Sequence, residues 1–156
     1  MRFTLIKDLK KEDSMRPILS GLLIFISLYL MADIFVKHLS FGISLSSIKS
    51  TLFGNEEEFL DPITQSSFLE FIHTEIFFIM MILLTLSTVF IRISKSTKRN
   101  FIIMNVTMIS AIISLIALAL SYYLSSYFIV VYITTFFIWH ILSLYMSIYS
   151  FWKLND

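Results

Sequence analysis

A glutamate–histidine–glutamate set stands at the lip of a long apolar run: residues 66–78 read SSFLEFIHTEIFF and carry Glu70, His73 and Glu75. Glu70 and His73 form E-x-x-H, a spacing that puts a carboxylate and an imidazole on one helix face. Carboxylate-bridged di-iron bundles use that motif in pairs. This chain has a single copy, so a di-iron centre is not expected. Glu75 is two residues beyond His73, about 200° round a helix at ~100° per residue. It belongs to a different face. Glu70 also fits a structural role, because Ser67-x-x-Glu70 is a capping box that starts a helix where the hydropathy independently begins to rise.

Other groups could meet these. Asp33 and Lys37 are four residues apart in an earlier apolar run and can pair, with His38 following at the end of that helix. His140 lies well inside the last apolar run. Three kinds of chemistry compete. His38, His73 and Glu70, with His140 as a further donor, form the candidate metal or haem set. Imidazole with carboxylate suits zinc, copper or iron, so a transition metal or haem b is the cofactor such a set would take, although the fold requires none. Asp33, Glu75 and His140 form the candidate proton or cation set, since paired carboxylates inside a membrane exchange protons readily. The third reading is a wet interfacial rim of histidines and carboxylates with Asp33 neutralised by Lys37 and no ligand.

The elements that must position these groups are read from hydropathy. The 156 residues are 57% hydrophobic and 15% charged, with a mean hydropathy of +0.84. Soluble domains run near 45–50% apolar and about 25% charged, so both shifts point to lipid. Four stretches reach the ~20 residues needed to cross a bilayer core: about 17–36, 68–93, 101–124 and 127–152. The first run is of full span length and no A-x-A-like site follows it, which argues against a cleaved signal peptide. With Cys 0, disulfides and thiolate ligands are excluded, and no Gly-rich phosphate loop occurs.

Lys and Arg set the orientation. The arm 1–16 holds Arg2, Lys7, Lys10, Lys11 and Arg16. Around the link between the second and third spans stand Arg92, Lys95, Lys98 and Arg99, and the tail adds Lys153. Only Lys37 and Lys49 lie on the other side. Both termini and the 94–100 link are therefore expected in the cytoplasm, and the 37–67 loop outside. The residue bias looks bacterial, which would make the membrane the inner one.

Short connections at 94–100 and 124–127 force antiparallel neighbours. The expected fold is all-α: a single-domain up-down bundle of four transmembrane helices, with a short amphipathic helix in the outer loop. That segment is SLSSIKSTLFGN, where Leu45, Ile48 and Leu52 recur at helical spacing before Gly54. At ~1.5 Å per residue from the cytoplasmic ends, Asp33 and Glu75 sit near 24 and 26 Å, His38 and His73 near 31 and 29 Å, and His140 near 18 Å. Asp33 is thus expected beside Glu75, His38 beside His73, and His140 alone near mid-membrane. The roughly 10 Å step between His73 and His140 disfavours a haem held between them.

Two further faces stand out. Thr107, Ser110, Ala111, Ser114, Ala117 and Ser121 make a small-residue seam on the third span, which marks close helix packing, or else a hydroxyl-lined permeation path. Other membrane subunits, or self-association through Thr107, Ser110, Ser114 and Ser121, are the expected partners. His140, Ser143, Ser147 and Ser150 make a comparable stripe on the fourth. No hydrolase, transferase or nucleic-acid-binding constellation is present. Spans two to four contain neither Gly nor Pro, so the broken helices of transporter substrate sites are missing. The expected function is a non-enzymatic integral membrane protein in contact with the lipid bilayer, an accessory or assembly subunit of a larger membrane complex. The alternatives are a metal- or haem-binding protein with a site at the outer face, and a cation or proton channel subunit.

Overall fold

The starts of three of the long or covering helices can be traced to a side chain that satisfies an otherwise orphaned backbone amide. The computed structural model describes residues 15–94 and 97–155; most of the basic arm, Lys95 and the C-terminal residue lie outside the described residues. Helix α1 spans Met15–Ser40, with Pro17 in its first turn. Helix α2 spans Leu45–Phe53 and starts on a reciprocal box in which Ser44 accepts from the Ser47 amide. Helix α3 spans Gln65–Ile93 behind Thr64, which accepts from the Ser67 amide. Helix α4 spans Lys98–Tyr123 behind Thr97, and α5 spans Phe128–Asn155. All of these are helical, and α1, α3, α4 and α5 are long and apolar enough to cross a membrane. The fold is the all-α four-span bundle expected from hydropathy.

Helix α5 is the hub, packing against each of the other four helices, and its pairing with α4 is the most extensive in the molecule. The reason is the small-residue seam. Thr107, Ser110, Ala111, Ser114, Ala117 and Ser121 are all buried, which lets the α4 backbone approach α5 closely. That face is occupied within the chain. Thr107, Ser110, Ser114 and Ser121, the residues expected to mediate self-association, are buried within the chain. Helix α1 is the least enclosed span, and Phe25, Leu28, Phe35 and Leu39 lie on its open side. Lipid contact follows from such apolar faces.

Helix α1 does not end level with the first turn of α5. Ser27 and Ser147 are hydrogen bonded at 3.0 Å. Counting back to the helix ends on the side of the long loop places Ser27 about 20 Å and Ser147 about 29 Å along their axes. The end of α1 thus stops about 9 Å short of the start of α5. Helix α2 fills that step. Ile48 and Leu52 are buried there in one core with Phe41, Phe68, Tyr132 and Phe136, so the amphipathic segment lies over the bundle.

Two glycines fix the ends of this cover. Gly42 has φ +86° and Gly54 φ +81°, conformations that side-chain-bearing residues rarely adopt. Between α2 and α3 the chain runs through a single 3₁₀ turn at Glu56–Glu58 and an Asn55–Leu60 bridge.

Candidate functional site

Beneath this cover, three helices bring four ionisable side chains into one network. Asp33 and Lys37 are one turn apart on α1, and the Lys37 ammonium donates to Asp33 Oδ2 at 3.0 Å. The same ammonium donates to Glu75 Oε2 of α3 at 2.5 Å. From α5, His140 Nε2 lies 2.9 Å from Asp33 Oδ2, while Nδ1 lies 3.1 Å from the Phe136 carbonyl oxygen. Lys37 is 3% exposed and His140 is fully buried, so water screens neither charge.

Aromatic rings enclose the network. Lys37 Nζ stands 4.6 Å from the centroid of the Phe136 ring, a cation–π contact. The rings of Phe136 and Trp139 flank His140 at 4.1 and 3.8 Å. On the side of the long loop, Phe41 stacks on Phe71 at 4.8 Å and meets the Tyr132 ring edge-on. A cavity of about 10 Å³, close to the room one water occupies, borders Lys37 between α2 and α5 and is lined also by Ile48, Tyr132 and Phe136.

The hydrogen-bond partners constrain where the protons are. A backbone carbonyl can only accept, so the Phe136 contact favours a proton on Nδ1 of His140. With Nδ1 protonated, the Nε2–Oδ2 contact holds a second proton, as imidazolium with carboxylate or as neutral imidazole with carboxylic acid; with Nδ1 bare, a single proton on Nε2 donates to the Asp33 carboxylate. In the first form, two cations balance the carboxylates of Asp33 and Glu75. Losing the shared proton leaves one uncompensated negative charge in a water-poor interior, where isolated charges are costly. Asp33 uses Oδ2 for both of its bonds. Its Oδ1 has no hydrogen-bond partner among the described residues.

The sequence placed Asp33 beside Glu75, and the structure joins them through Lys37. It placed His140 apart from both and missed the bond to Asp33. That expectation counted each span from its own cytoplasmic end as though the ends were level; the Ser27–Ser147 bond places the start of α1 about 6 Å beyond the end of α5, and this offset brings the two residues together. Lys37 was read as a rim residue at the end of a span closing near 36. The helix runs on to Ser40, so Lys37 and His38 fall in its last turn and Lys37 is buried.

The E-x-x-H stretch is placed differently from the expectation. Thr64, not Ser67, caps α3, so the helix begins three residues earlier and Glu70 lies beyond the cap. His38, Glu70 and His73 are exposed. Their side chains have no hydrogen bond or ion pair with one another among the described residues, and no three His, Cys, Asp or Glu groups gather there in an arrangement able to hold a metal. Both ring nitrogens of His140 lie within hydrogen-bond distance of oxygen partners.

Four membrane-spanning helices around a buried ionic cluster define the chain as an integral membrane protein. Residues 42–156 match the family model Aq_1264_TM, a transmembrane helical domain, and the chain belongs to that family. Comparison with curated proteins and with solved structures gave no match. The matched segment begins just after α1 ends, so Glu75 and His140 lie inside it while Asp33 and Lys37 come from the helix that precedes it.

Proposed function

We propose that this membrane protein exchanges protons at the Asp33–Lys37–Glu75–His140 cluster, as a non-enzymatic subunit of a membrane assembly whose termini face the cytoplasm. The observation that carries the reading is the 2.9 Å contact between His140 Nε2 and Asp33 Oδ2, within a network of four ionisable side chains from three helices that are largely withdrawn from solvent. Ionisable groups within spans are costly and mark ion or proton pathways more often than packing. A purely structural tie between α1 and its neighbours would be served as well by apolar side chains, since replacing buried ion pairs with packed hydrophobic residues is often neutral or stabilising.

The subunit role is supported by the uneven distribution of acids. Every described carboxylate lies at the cluster or on the long-loop side of it, and α1, α3, α4 and α5 carry none toward their other ends. A proton leaving that way reaches hydroxyls, water or another chain. The inward placement of the termini is supported by the ten-to-two asymmetry of Lys and Arg across the spans.

The test is proton flux. The chain reconstituted in liposomes with a trapped pH dye and an imposed gradient should dissipate that gradient at least about tenfold faster than protein-free liposomes, a difference equivalent to ~1.4 kcal/mol in barrier. Asp33→Asn and His140→Gln should each remove the excess. Wild-type flux no greater than the protein-free background sinks the proposal.

A further inference from the structure

Below His140, α5 carries Ser143, Ser147 and Ser150 on the same face, and all four residues are fully buried. Ser147 shows what that face meets. Its Oγ donates to the Leu23 carbonyl of α1 at 3.0 Å and accepts from Ser27 Oγ at 3.0 Å. The stripe therefore faces α1. Ser143 Oγ and Ser150 Oγ, above and below it, have no hydrogen-bond partner among the described residues.

Among the described residues Ser87 Oγ of α3 is likewise buried without a partner, but most hydroxyls in the spans bond to their own helix. Thr88, Thr107, Thr134 and Thr135 return their protons to the carbonyl four residues back, and Ser114 and Ser121 to the one three back. That is the usual way a membrane helix satisfies a hydroxyl. Ser143 and Ser150 leave the option unused in a region where an orphaned polar group is costly. A partner from outside the protein, such as water, would satisfy them.

We propose that the seam between α1 and α5 holds internal waters on Ser143, Ser147 and Ser150, joining the Asp33–His140 pair to the membrane face at which α5 ends. Going down α5 from His140, the steps are about 4.5, 6 and 4.5 Å. Two hydrogen bonds of about 2.8 Å through one water span such gaps. At the upper end, Asp33 Oδ1 is open to accept from the first water. At the lower end, Arg16 Nε donates to the Leu154 carbonyl at 2.9 Å and closes α1 onto the last turn of α5. A proton moves along such a file by hopping: each oxygen takes one proton from one side and gives another to the other side, so no atom is gained or lost. The inference rests on the proton-exchange reading and supplies its missing half.

The absence of native cysteine makes the test direct. Ser143→Cys, Ser147→Cys and Ser150→Cys variants of the full chain, in native membranes, are exposed to Ag⁺ and then denatured and labelled with a maleimide. Thiols react as thiolates, which form where water reaches them. All three should lose maleimide labelling at least tenfold faster than Ser114→Cys, buried on the α4–α5 seam, and Ile148→Cys on the open side of α5. Ser150→Cys should react first and Ser143→Cys last. Reaction no faster than the two controls overturns the proposal. Should Ser147→Cys fail to fold, Ser143 and Ser150, which have no bonds to lose among the described residues, decide the outcome through their variants. A reactive seam without proton flux in liposomes keeps the water file and retires the exchange reading. Flux with an inert seam does the reverse.

Discussion

Lys37 Nζ lies 2.5 Å from Glu75 Oε2, and this ion pair ties α1 to the matched transmembrane domain. Both side chains are largely withdrawn from solvent, at 4% and 13% exposure. Removing one partner of such a pair leaves the other buried and unpaired. Lys37→Met should therefore destabilise the protein by about 3 kcal/mol, read as a lowered midpoint of denaturant unfolding in detergent. Adding Glu75→Gln to Lys37→Met should recover part of that loss. Equal losses in the single and double variants would show that the pair is not coupled.

The hydroxyl bridge between Ser27 and Ser147 should contribute less. Interhelical hydrogen bonds in membrane proteins average about 0.6 kcal/mol, so Ser27→Ala and Ser147→Ala should each cost on that order. The two should be non-additive in a double-mutant cycle. Strict additivity would place the two hydroxyls out of contact.

The cover over the cluster depends on Gly42. Its φ of +86° is unfavourable for any side chain, and an added Cβ would collide with the side chain of Ser47, which is part of the α2 capping box. Gly42→Ala should cost about 1–3 kcal/mol and speed hydrogen exchange in Leu45–Phe53 while sparing the middle of α4. Unchanged exchange in α2 would contradict the account of the cover.

Hydropathy and short links made the four spans legible, because lipid demands long apolar helices whatever their neighbours are. The small-residue seam of α4 was legible for the same kind of reason, since spacings of three and four define a face. The site was half legible. Asp33 and Lys37 declare themselves at i,i+4 within one helix, and similar counted depths put Glu75 near Asp33. The link to His140 depends on the axial offset between α1 and α5, which arises from packing and the α2 cover rather than from either helix alone. Glu70 and His73 drew attention through a motif that needs a second copy, and α3 leaves both exposed.

Orientation gives a further prediction. With no native cysteine, single substitutions at Glu57 in the long loop and Lys98 at the start of α4 report sidedness. A membrane-impermeant maleimide added to intact cells should label Glu57→Cys and spare Lys98→Cys. The opposite pattern would invert the topology.

The central claim is that Asp33 and His140 hold one exchangeable proton between them, and infrared difference spectroscopy on the reconstituted protein tests it most directly. Stepping the pH should produce a carboxylic-acid carbonyl band and an imidazole band that change together, with both lost in Asp33→Asn and in His140→Gln. Spectra that do not change on either substitution would contradict the claim.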